Sequence, residues 1–221
     1  LKQFADELEG STNFQEDLQR LIKKTFTEHQ RIIFNGNGYD DAWLAEAQRR
    51  GLSNLKSAAD ALPAYIAPKN VDLFVKHGIY TKEEIQARFE IHVENYRNIL
   101  VIEATTMVDM IRHQILPAVS RYSADLCSRA NAKAAAGVSH RYESDTAQVI
   151  SALTDALMDA CGALEEDLRA MPADPQEAMN FCHNVLTGHM AEARAAADQL
   201  EEHTASEYWP FPVYADLMFS V

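Results

Sequence analysis

TKEEIQARFEIHVENYRNILVIEATTMVDMIRHQIL, Thr81 to Leu116, is the stretch on which the fold turns. Thr81 with Glu84 three residues later is a capping box, in which a hydroxyl and a carboxylate satisfy two of the backbone amides that a helix start leaves without partners. Neither Gly nor Pro interrupts residues 82–116. The spacing predicts a helix of ~50 Å, about three times the usual globular length of about 11 or 12 residues. Its first half is amphipathic through Ile85, Phe89, His92, Val93 and Tyr96. Its second half, Asn98 to Ile111, is apolar on nearly every side, which places it at the centre of a bundle.

Downstream, Pro117 is expected to kink this helix, and Val119, Ser123, Leu126, Cys127, Ala130 and Ala134 continue its stripe to Gly137. A second long helix over residues 142–170 carries Ile150, Leu153, Leu157, Ala160 and Leu164 at alternating three and four spacings. Asp174 as cap and Pro175 at the first helical position start the last one, whose stripe is Met179, Cys182, Leu186, Ala193 and Leu200. Connections this short make long helices antiparallel neighbours.

Upstream the elements are shorter. Leu1, Phe4, Ala5 and Leu8 form an apolar stripe with no cap before it, which reads as a chain beginning inside an element of a longer protein. Asn13 with Glu16 reads as the cap of a helix running to about Ile33. The loop NGNGY, Asn35 to Tyr39, leads to a short helix capped by Asp40 and closed by Gly51. Residues 52–69, with Pro63 and Pro68, read as irregular, and another short helix follows Asn70 and ends at Gly78. The fold class is all-α: an elongated antiparallel bundle of long helices, preceded by shorter helices and followed by an aromatic, proline-containing tail.

That tail, EYWPFPVYADLMF from Glu207 to Phe219, carries five aromatic residues. Each buried ring contributes on the order of 2 to 3 kcal/mol of transfer free energy, so the tail is expected to dock. The expected receiving surface is the start of the chain, where Phe4, Leu8, Phe14, Leu18 and Trp43 lie outside the long bundle.

The net charge of −13 is unevenly placed. Residues 141–221 hold 15 acids against 3 Lys and Arg, whereas residues 1–140 hold 18 against 17. Phosphate backbones and anionic bilayers are bound by Lys and Arg, so neither nucleic acid nor membrane is an expected partner. Cys127, Cys161 and Cys182 show no CxxC spacing, and an odd count closes no disulfide set, which fits a reducing cytoplasm. No apolar run approaches the ~20 residues of a membrane span.

The sequence contains no GxxxxGK[ST], HExxH or GxSxG motif. Gly36 and Gly38 lack the third glycine of a dinucleotide loop, and NGNGY reads as a turn plus helix cap in preference to a phosphate cradle. None of the eight histidines has a Glu three positions before it, against the Glu-x-x-His pairs of di-iron bundles. His189 reads as a packed histidine rather than a phosphoacceptor, since its helix offers only Arg194 as a basic neighbour. Glu103 and Asp109, with His113 one turn on, lie inside the apolar stretch and read as core-specifying polar residues, partnered by Arg97, Arg112, Arg121 or His113.

Three segments resemble one family: Ile32 to Pro63, Arg88 to Val119, and the tail Tyr208 to Phe219. They are similar to the carboxy-terminal region of type III glutamine synthetases, large bacterial enzymes that join glutamate and ammonia using ATP. The segment SAADALP, Ser57 to Pro63, departs from the family's TTPDALP. The resemblance implies that residues 1–65 close a catalytic domain, 66–80 connect, 81–206 form the long-helix bundle and 207–221 are a docked tail. It implies a parent enzyme that uses ATP and magnesium and self-associates as a homo-oligomer of stacked hexameric rings. The family's metal-binding, nucleotide-binding and phosphate-binding residues belong to motifs that match nothing here. No catalytic, cofactor-binding or metal-binding residue is carried over, and the expected role is a non-catalytic structural and assembly region. The alternatives are a stand-alone helical interaction or sensor bundle, and a metal-dependent bundle enzyme.

Overall fold

A computed structural model describes residues 2–212 and 214–219, and every regular element among them is helical. The chain divides into two units, Leu1–Lys56 and Ser57–Val221. Leu1 of the first stripe, Val213, Ser220 and Val221 of the tail, and the Tyr214 and Ala215 side chains lie outside what is described.

In the first unit α1 spans Lys2–Leu8, α2 Phe14–Glu28 and α3 Asp41–Arg49. Asn13 is the N-cap of α2, but its amide donates to the Glu16 carboxylate at 2.9 Å instead of its oxygen accepting from the backbone. The helix stops at Glu28, short of the expected Ile33, and tightens into a 3₁₀ turn at Gln30–Ile32. The Asp40 carboxylate accepts from the Ala42 amide at 2.8 Å and starts α3. Gly51 follows the end of α3 at φ +69°, a left-handed conformation that a Cβ would strain.

The second unit opens with order where irregular chain is expected. Ser57 caps α4 (Ala58–Ala61), accepting from the Asp60 amide at 3.0 Å, and a 3₁₀ helix runs over Leu62–Ile66. Next comes α5 (Pro68–Lys76), which begins at Pro68 and not after Asn70. Proline at the first helical position gives up an amide that would have no intrahelical partner anyway. Asn70 donates its side-chain amide to the Ala64 carbonyl at 2.5 Å, tying α5 to the turn before it. Ala59, with Leu62, Tyr65 and Ile66, packs against Phe89, Val93 and Met179 of the longer helices.

The long helix is present, and both halves of its capping box are made: the Thr81 amide donates to Glu84 Oε2 at 2.8 Å and the Glu84 amide to Thr81 Oγ1 at 3.1 Å. It runs as α6 (Lys82–Met110), a π-helical stretch Ile111–Ile115, and α7 (Leu116–Ala135). Helical structure thus continues through Pro117. The wider turn just before it, where the Leu116 amide reaches back five residues to the Ile111 carbonyl, makes room for a residue that has no amide and crowds the preceding turn. After α8 (Arg141–Arg169), Asp174 accepts from the amides of Gln176 and Glu177 to start α9 (Pro175–Phe181). A second π-helical stretch, Cys182–Leu186, joins α9 to α10 (Thr187–His203).

Register follows from two ion pairs. Lys133 meets Glu143 near the connection and Arg112 meets Glu165 far from it, so the α6–α7 rod and α8 run antiparallel. The core lies where the stripes place it: Ile150, Leu157 and Leu164 of α8, and Met179, Cys182, Leu186, Ala193 and Leu200 after it, are fully buried. Ala193 and Cys161, both fully buried, keep the seam between α8 and α10 thin. The stripe on α7 is narrower than expected: Val119 and Leu126 are buried, as is Tyr122, whereas Cys127 and Ala134 are exposed.

Two further expectations are corrected. The apolar stretch Asn98 to Ile111 is not enclosed on all sides: Ala104 and Ile111 face the core, but Ile99 is 47% exposed and Ile102 66%. A helix at the edge of a bundle buries one stripe, and among the described residues the other stripe is left exposed. The first part of the tail docks on the long bundle, within its own unit. Trp209 is buried in the bundle core, with Tyr208 and Phe211 packed against the same cluster. Beyond it, α11 (Tyr214–Phe219) leaves Leu217, Met218 and Phe219 exposed. Among the described residues no helix is long and apolar enough to cross a membrane.

Candidate functional site

Polar side chains in the bundle meet in pairs that tie one helix to another. The Arg112 guanidinium donates from Nε and Nη2 to the two oxygens of Glu165, at 3.0 and 3.2 Å, and Arg169 approaches the same carboxylate at 3.5 Å. The Arg112 bonds hold the Glu165 carboxyl below the usual carboxylate range. Lys133 donates to the buried Glu143 carboxylate, which that bond likewise depresses. The Tyr208 hydroxyl donates to Asp125 at 3.2 Å while its ring lies 5.0 Å from that of Tyr122. Burial, foremost, pushes the Tyr122 phenol up to about 12.

The fourth tie is the histidine singled out in the sequence. His189 on α10 is half-buried, and its Nδ1 lies 2.6 Å from Asp167 Oδ2 on α8. The hydrogen bond to that carboxylate raises the imidazole pKa against the opposing effect of burial. A histidine whose folded pKa is raised stabilises the fold most below its ordinary value of about 6.5, and the contribution disappears as pH rises through the folded value. Replacing it as His189→Gln is therefore expected to flatten the fall in melting temperature as pH rises above the ordinary imidazole value of about 6.5. Parallel melting curves for wild type and variant across that range would contradict the assignment.

Glu103 and Asp109 are not core residues. Both are exposed; Asp109 pairs along its own helix with His113 at 2.9 Å, and Glu103 has no ion pair among the described residues. Arg112, expected as a partner for them, points to Glu165 instead. Their stretch of α6 is apolar in composition but open to solvent on the face that carries them.

The NGNGY loop is a turn. The Tyr39 amide donates to the Asn37 side chain at 3.1 Å, and Asp40 spends its carboxylate on α3. A Cβ on Gly36 would lie 2.6 Å from the Phe34 ring, which stacks on Trp43 with centroids 4.1 Å apart. On the next turns of α3, Glu46 accepts from Arg49 Nε and Nη2, both at 2.6 Å, and from Arg50 Nε at 2.5 Å. Those bonds, Arg49 foremost, hold the Glu46 carboxyl down to about 2. Arg50 also donates to the Ile33 carbonyl at 2.7 Å and sits 5.6 Å from the Trp43 ring centre.

Sequence reasoning did not find the ties at Arg112, Lys133 and Tyr208, because each joins residues whose register is set only by packing. Among the described residues no group of three or more His, Cys, Asp and Glu side chains is arranged to hold a metal ion.

Comparison with known proteins gives the chain's relations. A family model described as the glutamine synthetase C-terminal domain matches residues 17–134, more than half of the chain. A glutamine synthetase of Butyrivibrio fibrisolvens is 34% identical over 216 residues, covering 93% of this chain and 30% of that protein. A type-3 glutamine synthetase of Dictyostelium discoideum is 29% identical over 210 residues, covering 90% of this chain and 28% of its own length. A glutamine synthetase of Bacteroides fragilis is 24% identical over 218 residues, again matching 93% of this chain and 29% of that protein. The chain thus spans about 30% of the length of the relatives it matches.

Proposed function

This chain belongs to the glutamine synthetase C-terminal domain family, and from that premise we propose that it is the non-catalytic structural and assembly region of an ATP-dependent glutamate-ammonia ligase. The observation that carries the reading is the use made of charge. Glu143, Glu165 and Asp167 are each engaged by a basic group on another helix, each carboxylate by a different one. Transfer of a phosphoryl group to glutamate needs carboxylates converging on magnesium and cations converging on the phosphates. Cross-helix pairs of this kind fix the register of helices instead.

With this reading go the finer proposals. Residues 1–65 are the end of the catalytic domain, 66–80 a connection, 81–206 the bundle and 207–221 the tail, within a cytoplasmic parent that uses ATP and magnesium and assembles as stacked hexameric rings. The exposed Ile99 and Ile102 give α6 an apolar face suited to burial in such an assembly. The chain, supplied with glutamate, ammonium and Mg-ATP, is expected to release neither glutamine nor ADP above the blank. Turnover within two orders of magnitude of an intact glutamine synthetase would sink the proposal.

A further inference from the structure

An open cleft of about 660 Å³ in the first unit is lined by Phe26, Gln30, Arg31, Ile33, Arg49 and Arg50, with no acidic residue in its wall. Three arginines line it, and the Glu46 carboxylate is bonded to two of them, Arg49 and Arg50. Local charge is therefore positive in a chain whose net charge is −13.

The arginines are held in place before any ligand arrives. Arg50 is fixed from three sides, by Glu46, by the Ile33 carbonyl and by the Trp43 ring, and Trp43 is itself braced by Phe34. Arg49 is locked in a two-bond fork on Glu46. After those bonds Arg49 Nη1 and Arg50 Nη2 still have donors to offer, and Arg31 makes no ion pair among the described residues. Beside these donors lie the Phe26 ring, 59% exposed, and Ile33.

We propose that this cleft binds a small organic phosphate, its oxyanion on Arg31, Arg49 and Arg50 and its apolar or aromatic body against Phe26 and Ile33. Guanidinium forks match the oxygen spacing of a phosphoryl group, and arginines already ordered lose little entropy on binding it. An exposed ring next to the anion site adds contact that a bare phosphate cannot use.

The test is calorimetric titration of the 221-residue chain with inorganic phosphate and with phenyl phosphate at fixed ionic strength. Saturable one-to-one binding is expected for both, with phenyl phosphate the tighter by roughly tenfold. The double variant Arg31→Gln, Arg49→Gln, which leaves Arg50 and its structural bonds intact, is expected to weaken both by roughly tenfold or more. Unchanged melting of the double variant shows that the loss comes from the site and not from unfolding. Phe26→Ala is expected to abolish the preference for the phenyl ester alone. Absence of saturable phosphate binding, equal affinity for the two probes, or binding indifferent to the arginines overturns the proposal. So does self-association that is lost with the arginines while neither probe binds, since the cleft then meets the acidic surface of another copy.

Discussion

Trp209→Ala is expected to lower the stability of the bundle by about 3 to 5 kcal/mol, the usual cost of deleting a buried aromatic ring. Trp209 stands six residues beyond the end of α10 yet belongs to the same buried cluster as Leu126, Leu157 and Leu200. The ring is held by a chain turn in which the amides of Tyr208 and Trp209 donate to the Ala205 carbonyl at 2.8 and 3.2 Å. Phe211 meets it edge-on, with ring centres 6.1 Å apart. Tyr208 fastens the same turn to α7 through Asp125. Removing the indole leaves a cavity in the main buried cluster, whose walls relax only partly. For a chain of this size the loss corresponds to a fall in melting temperature of roughly 6 to 20 °C. A fall of less than about 2 °C would show that the tail is an appendage and not part of the core.

Leu186→Ala is expected to cost about 2 to 5 kcal/mol. Leu186 ends the π-helical stretch Cys182–Leu186 and is fully buried beside the α8 residues of the main cluster. Cys182 and Leu186, four residues apart, share the face turned to the core, and α10 continues that stripe at Ala193 and Leu200. Denaturant unfolding of the variant reads the cost directly. A loss below about 1 kcal/mol would mean that the π segment reverts to regular helix and closes the space, so that Leu186 does not hold the register of α10.

Much of the bundle was legible because its signals are local. The capping box at Thr81 and Glu84, the Asp174 and Pro175 start of α9, and the three-and-four spacing from Ile150 to Leu164 each involve residues within a turn or two of one another. The two π stretches were hidden, since nothing in composition marks a helix that widens by one residue; Pro117 signals disturbance but not its form. Apolar content over Asn98 to Ile111 points to a buried Glu103 and Asp109, but enclosure depends on neighbours, which composition does not show. The destination of the tail was open for the same reason. Its aromatic content requires docking, while the receptor, formed by Tyr122, Asp125 and Leu126 among others, exists only once α7, α8 and α10 are assembled. The tie between His189 and Asp167 lay between these cases: packing near the seam followed from the stripe, its partner did not.

The proposed role, assembling a glutamine synthetase without taking part in its chemistry, is tested most directly by sedimentation of the parent protein with and without residues 81–219. The intact protein is expected to sediment as a large homo-oligomer, and the truncated one as smaller species. A truncated protein that keeps both its oligomeric mass and its rate of glutamine formation would contradict the assignment.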